Sequence, residues 1–371
     1  MRRKTTTPLF PAFDFYNNIY QVFLSSSVSS KGIIPPHLSP NHRIRGRKLK
    51  YQEKPRVDEG NYSAIAEFIF LVLSNDPDLQ IIVFVVFLMI YMITVLGNLG
   101  IILLIKIDAQ LHTSMYFFLS NLAFLDTCFS CVIAPRIPIN FLVERKTISY
   151  AGCVTQICFF AALGTTECFL LGAMAYDHFI TICHPLHYSA MMSHRISVFL
   201  IVGSYMYGFL NSVIHTVFTF SLSISGHQTI NHCFCNGPPL LSISCSNTCV
   251  NQKLLFVFVN LNGLSMTAII VVSYAYILFT ILKIHSSEGI HKAFTCASHI
   301  MVVSTFYGTT CFMYLLPMSS YSLERDKRIS VLYTFVIPML NPLIYSVSNK
   351  EMKDAMRKNL VNICKHPHFR D

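Results

Sequence analysis

MAYDHFITICHPLHY, Met174 to Tyr188, is the stretch that decides how this chain folds. It closes a long apolar run. From Cys158 to Ile182 the only acidic or basic side chains are Glu167, Asp177 and His178. Polarity changes at Asp177–His178, and the chain turns at Pro185, where a helix cannot continue. A helix of this length and polarity is a membrane span. The bilayer core is about 30 Å thick and needs roughly 20 apolar residues. The rest of the composition agrees. The 371 residues are 53% hydrophobic and 12% charged, with 30 Phe and no Trp, too apolar for an ordinary soluble domain. Six or seven such stretches fill most of residues 81–350, so one all-α polytopic bundle is expected.

The net charge of +10 invites a nucleic-acid partner, but its distribution argues against one. Eleven of the 28 Lys and Arg lie in the first 56 residues, and no basic stripe with interleaved aromatics follows. Residues 1–60 carry the cluster Arg43, Arg45, Arg47, Lys48 and Lys50 among scattered Pro and Ser. They read as a disordered basic extension without a signal-peptide core. That extension is either without function or a binder of anionic surfaces. Asn61-Tyr62-Ser63 fits the N-glycosylation pattern just before the first span. Many of the 13 cysteines, such as Cys128, Cys158, Cys168 and Cys296, sit inside apolar runs and read as small buried residues. Cys153, Cys233, Cys235, Cys245 and Cys249 are placed to meet an oxidising lumen.

The spans are expected at Ile81–Ile105, from about Leu111 onward, from Cys153 to the Asp177 triplet, at Val198–Phe220, at Leu254–Ile284, after Lys292, and at Ile329–Val347. The first contains Gly97-Asn98, and a polar Asn in lipid must face other helices. The second contains Asp126 and the third Glu167, both ionisable groups inside the bilayer and functional by default. Two buried anions repel, and a shared cation or proton relieves them.

Asp177-His178-Phe179 resembles the Asp-Arg-Tyr element of the rhodopsin-like receptors. The longer MAYD…CHPLHY match, LHTSMYFFLSNLAFLD (Leu111–Asp126), KAFTCASHI (Lys292–Ile300) and PMLNPLIYS (Pro338–Ser346) resemble the signatures of the olfactory receptor family. The resemblance covers about residues 61–360. It implies a seven-transmembrane rhodopsin-like bundle over 61–348, followed by a cytoplasmic tail at 349–371 that begins as a short amphipathic helix. It implies a multi-pass plasma-membrane protein with an extracellular amino terminus, a glycan at Asn61, and a Cys153–Cys235 bridge. The pairing of Cys233, Cys245 and Cys249 stays open. CxC plus His232 makes only a weak zinc pattern.

Odorant detection is the implied function, coupled through a stimulatory olfactory G protein to adenylyl cyclase. The expected partners are a small volatile ligand, a heterotrimeric G protein and membrane lipid. By position, Phe160, Ala161, Gly164, Thr165, Phe258, Asn262, Tyr307, Thr310 and Tyr314 line a ligand pocket between spans three, five, six and seven. Asp177, His178, Tyr274, Asn341, Pro342 and Tyr345 form the activation and G-protein-coupling set. Asp126 and Glu167 are the candidate Na⁺ ligands, with hydrogen-bonded or protonated carboxyls as the other reading, and no further cofactor is expected.

Several positions depart from the family pattern. His178 stands where the family has Arg, Phe179 where it usually has Tyr, Ser114 where it has Pro, and Ser348 where it has Arg. Ser225 occupies a family cysteine position, and the sixth-span motif is one residue short near Phe294. These are the marks of a divergent member of a gene line accumulating changes, and they predict impaired coupling. A transporter or channel would show internal repeats or paired broken helices, and neither is present. An enzyme would need a nucleophile–base set or a motif such as HExxH, and none is found.

Overall fold

In a computed structural model, the described residues are 67–70, 77–133, 147–222, 229–283 except 231, 233, 245 and 247, 300–308 except 305, and 330–365 except 331. The basic extension, Asn61, Thr310, Tyr314, the shortened motif near Phe294, Ser225, Cys233 and Cys245 lie outside them.

The elements run in order as β1 (Glu67–Phe70), α1 (Pro77–Ile107), α2 (Ser114–Ile133), β2 (Thr147–Ser149), α3 (Tyr150–Cys183), α4 (His194–Phe220) and β3 (Thr229–Ile230). A short helix, Gly237–Ser242, precedes α5 (Cys249–Lys283). The helical pieces 300–304 and 306–308 form α6. A wide π-type turn, Leu332–Val336, opens α7 (Ile337–Ser348), and α8 (Lys350–Lys365) follows. Among the described residues, α1 to α5 are long and apolar enough to cross a membrane. The expected boundaries shift outward. The fourth span starts at His194 and the fifth at Cys249, because polar first turns extend helices beyond the apolar stretch that marks them in sequence.

At the centre of the bundle is α3, 34 residues and roughly 51 Å long. Ser149 caps it, its side chain accepting the Gly152 N–H at 3.2 Å. It packs against α2, α4 and α5. The α3–α4 seam is built from small and polar residues, the pattern that lets helices approach closely where lipid supplies no hydrophobic drive. Ser197, Ser204, Gly208, Asn211 and Ser212 are all buried there. The Thr166 hydroxyl donates to the Ala162 carbonyl at 2.8 Å, Asn211 Nδ2 donates to Thr165 Oγ1 at 3.0 Å, and the Ser212 hydroxyl donates to the Cys158 carbonyl.

Gly208 is the tightest point of that seam. A Cβ there would sit 2.7 Å from the Ala162 carbonyl oxygen and 2.3 Å from Thr166 Oγ1. The hydroxyl can rotate, but the backbone oxygen can yield only if the helices part. Gly208→Ala is therefore expected to destabilise the fold by about 1–3 kcal/mol, read as a lower unfolding temperature. An unchanged melting point would mean that the seam is looser than described.

On the far side, Gly97 meets Pro342 of α7, with a notional Cβ 3.1 Å from the ring. Asn98 Nδ2 donates to the Pro338 carbonyl at 3.1 Å and to Thr94 O at 2.9 Å. The polar Asn of the first span thus faces another helix. Ile81, Ile82, Val85, Met89, Leu96 and Leu103 on α1 are exposed. A three-stranded sheet, absent from the all-α expectation, closes one end. It has β1 in the middle, antiparallel to β2 and parallel to β3. Phe68, Ile148 and Ile230 bury their side chains beneath it, packed with Cys153, Cys235 and Leu240.

At the opposite end, α8 runs 16 residues, longer than the short helix expected of the tail. Tyr116 Oη donates to Glu351 Oε2 at 2.7 Å, and Met352 and Ala355 are buried against the bundle. Lys358 Nζ donates to Asp108 Oδ2 at 3.2 Å. The Gln110 backbone N–H, and then Lys358, hold the Asp108 carboxyl below its ordinary value. A lowered carboxyl pKa stabilises the docked form above the free value near 3.8 and loses that contribution as pH falls through the folded value. Protection of the α8 amides, taken relative to the unstructured exchange rate at each pH, is thus expected to hold from neutral pH down to about 4 and to fall below it. Asp108→Asn should lower that protection at pH 7. A flat profile in both chains would remove the Asp108 contact from the account.

Candidate functional site

Inside the sheet-capped end lies a cavity of about 140 Å³. Its α3 wall is Ile157, Phe160, Ala161, Gly164, Thr165 and Cys168. Residues Leu254, Leu255, Val259, Asn262 and Gly263 of α5 face them, with Phe306 and Tyr307 of α6. Gly237, Pro238 and Leu241 of the short loop helix also line it. That helix is fixed from several directions. Asn236 Oδ1 accepts the Gly237 N–H at 2.8 Å, Cys235 N–H donates to Gln156 Oε1 at 3.0 Å, and the Cys153–Cys235 disulfide ties the loop to α3. Ring nitrogens of His232 lie 3.1 Å from the Phe234 carbonyl oxygen and 3.2 Å from the Ser330 hydroxyl. Tyr307 points into the bundle, its hydroxyl donating to the Cys168 carbonyl at 2.7 Å.

Six of the residues expected from sequence, Phe160, Ala161, Gly164, Thr165, Asn262 and Tyr307, line this cavity together. Phe258 does not. It sits one turn before Asn262, but the His215 ring stands against it edge-on, 5.1 Å between centroids, on the cavity wall. A second correction concerns the helices involved. The fourth span contributes Asn211, His215, Phe218 and Thr219, and no described α7 residue lines the cavity. Tyr207, Asn211 and His215 recur at four-residue intervals, so one helical stripe carries all three. That spacing was available in the sequence as the signal for this wall.

Deeper in the bundle the buried carboxylates meet α7. Asn341 Nδ2 donates to Asp126 Oδ2 at 2.9 Å. Asp126 Oδ1 and Glu167 Oε1 are buried and have no hydrogen-bond partner among the described residues. The two carboxyls lie within electrostatic reach of each other and of Tyr345. Those two bare oxygens are hard donors of the kind a small cation or a shared proton satisfies. No group of three or more His, Cys, Asp or Glu with metal-site geometry occurs among the described residues.

At the inner end of α3, Asp177 and His178 are both buried. The Tyr188 hydroxyl, from the turn that follows Pro185, donates to Asp177 Oδ1 at 3.1 Å. Burial and the neighbouring Asp177 charge hold the Tyr188 phenol above its ordinary value, so it stays a donor at neutral pH. Phe179 packs its ring on Tyr276 of α5, 5.8 Å apart, and Cys183 Sγ lies 3.3 Å from Thr280 Oγ1. Tyr274 is half-buried where this cluster joins the main core. At Ser114, where the related pattern has Pro, the hydroxyl donates to the Met192 carbonyl at 3.2 Å. A serine at the first helical position thus gains a tether to the inner loop.

Among the described residues, five helices long and apolar enough to cross a membrane, a last helix with Pro342 inside it, and a cavity under a disulfide-pinned loop fit a rhodopsin-like bundle. The structure of squid rhodopsin superposes with a TM-score of 0.62 at 17% identity, covering 82% of this chain and 93% of that one. The olfactory receptor family model matches residues 87–363. Olfactory receptor 5AR1 of Mus musculus is 52% identical over 303 residues, 81% of this chain and 98% of that protein. Olfactory receptor 5AU1 of Homo sapiens is 52% identical over 304 residues, 82% of this chain and 84% of that protein. The chain belongs to the olfactory receptor family, G-protein-coupled multi-pass membrane receptors rather than enzymes.

Proposed function

We propose that this chain acts at the plasma membrane as an odorant receptor. A small volatile occupies the cavity between α3, α4, α5 and α6, and occupancy drives a stimulatory olfactory G protein and adenylyl cyclase. The observation that carries this reading is the cavity itself: mostly apolar, with a few polar groups, beneath a loop tied to α3 by a disulfide. The disulfide suits an oxidising exterior at the sheet-capped end. Lys350, Lys353, Arg357 and Lys358 of α8 put positive charge at the other end, the cytoplasmic preference. The amino terminus is then outside, where a glycan on Asn61 belongs, and the exposed apolar faces of α1, α4 and α5 meet lipid.

Asp126 and Glu167 would hold a Na⁺ in this reading, through the carboxyl oxygens that have no hydrogen-bond partner among the described residues, and its positive charge would offset their mutual repulsion. Movement of α7 about Pro342, with Asn341 bound to Asp126, then changes the ion's surroundings. Ligand and G protein each shift the balance only by binding one state better. The test is cyclic AMP in cells expressing the full chain with a stimulatory olfactory G protein and a panel of volatiles. A rise that needs the G protein is expected. Calcium or ion flux without cyclic AMP would favour a channel instead.

A further inference from the structure

The α4 wall of the cavity holds polar groups that the bundle leaves unmet. Asn211 and His215 are more than nine-tenths buried, and both line the cavity. Asn211 spends its amide N–H on Thr165 Oγ1 at 3.0 Å, and its Oδ1 has no partner among the described residues. His215 Nε2 has none either. Tyr207, one turn before Asn211 on the same stripe, satisfies itself by donating to Asn262 Oδ1 at 2.7 Å. The stripe therefore passes from satisfied to unsatisfied as it runs along the cavity wall. A buried polar atom without a partner is costly, and two such atoms one turn apart on the wall of a cavity point to a ligand in that cavity.

The chemistry of the missing partner follows from the two groups. The Asn211 oxygen accepts a hydrogen bond, and the imidazole N–H donates one. Side chains four apart on a helix stand about 5–6 Å from each other. Cβ atoms at that separation put both side chains within reach of one hydroxyl placed between them. No Lys, Arg, Asp or Glu is among the described lining residues, and a charged headgroup would be buried there without a counter-charge from them. Aldehydes and ketones accept but do not donate, and hydrocarbons do neither. The volume, about 140 Å³, is near that of an apolar cavity that holds one benzene.

We propose that this cavity selects a neutral hydroxyl compound, an alcohol or phenol with roughly six to eight non-hydrogen atoms, whose hydroxyl bridges Asn211 and His215. The inference rests on the reading of the cavity as the odorant site and narrows it to a chemical class. The ring or chain of such a compound would lie against Phe160 and Val259, with Tyr307 at its far side.

The test uses the full chain in lipid nanodiscs with three probes of matched size: benzyl alcohol, benzaldehyde and toluene. Affinity is read from the concentration dependence of the unfolding temperature. Benzyl alcohol is expected to bind about tenfold more tightly than benzaldehyde, the factor of one neutral hydrogen bond, and more tightly still than toluene, which makes neither bond. His215→Phe and Asn211→Leu should each remove that preference while toluene binding persists, and toluene binding also reports that the variant is folded. Should Asn211→Leu lose toluene as well, His215→Phe alone carries the comparison. Equal affinity for the three probes in the native chain, or a preference that survives His215→Phe, overturns the hydroxyl assignment and leaves the cavity as ligand site. Ala161→Phe, which places a ring in the cavity, should abolish all three. Binding that survives it, or no binding of any probe by the native chain, overturns the cavity reading and this inference together.

Discussion

Cys235→Ser is expected to remove most of the receptor from the cell surface. The disulfide joins Cys153 at the head of α3 to the loop that lines the cavity, across 82 residues of chain. Loss of a native bridge that closes a loop of this length costs about 2–5 kcal/mol. Here the cost falls on several contacts at once. Cys235 N–H is bound to Gln156, the next residue caps the short helix, and Phe68 and Ile230 pack against the bridge. Surface labelling of Cys235→Ser against the native chain measures it, and Cys153→Ser should match. Normal surface level and ligand response in Cys235→Ser would show that the loop is held by its hydrogen bonds alone.

His178→Arg is expected to raise the ligand-driven cyclic AMP response about tenfold at equal surface level, the lower end of what one charge-assisted contact is worth. The imidazole has only two ring nitrogens, whereas a guanidinium has five donors and a permanent charge. In the structure Asp177 turns to Tyr188 for its hydrogen bond. An arginine at 178 would compete for that carboxylate when the receptor is at rest and reach the G protein when the inner end opens. Tyr188→Phe in the native background serves as the control, because it frees Asp177 without adding a cation. Equal responses from the native chain and His178→Arg would mean that the His at this position does not limit coupling.

Much of this architecture was legible in the sequence because a membrane leaves few choices. A 25-residue apolar stretch must cross as a helix, Asn98 must face protein, and Pro342 must bend its helix. The motif between Met174 and Tyr188 then set the topology, and Cys153 and Cys235 followed from resemblance. Other features were not legible. Residues 67–70, EFIF, are too short a run to announce a strand, and only strands brought from two distant loops turn them into the centre of a sheet. Phe258 shares a face with Asn262 by helical counting, but counting along α5 cannot see the His215 ring standing on that face. The four-residue spacing of Asn211 and His215 marks one face of α4, but the partners that face lacks are evident only once α3 and α5 are in place. Asp126 and Glu167 announced themselves as buried acids, yet their shared surroundings with Asn341 depend on how three helices pack.

The most direct measurement is the cyclic AMP response of the full chain to its most active volatile, native against Ala161→Phe, at matched surface level. Ala161 lines the cavity, so a phenyl ring there competes for the space the ligand needs. The account predicts a response from the native chain that is lost in the variant at every tested concentration. A variant that responds with undiminished potency would contradict it and place the odorant elsewhere in the bundle.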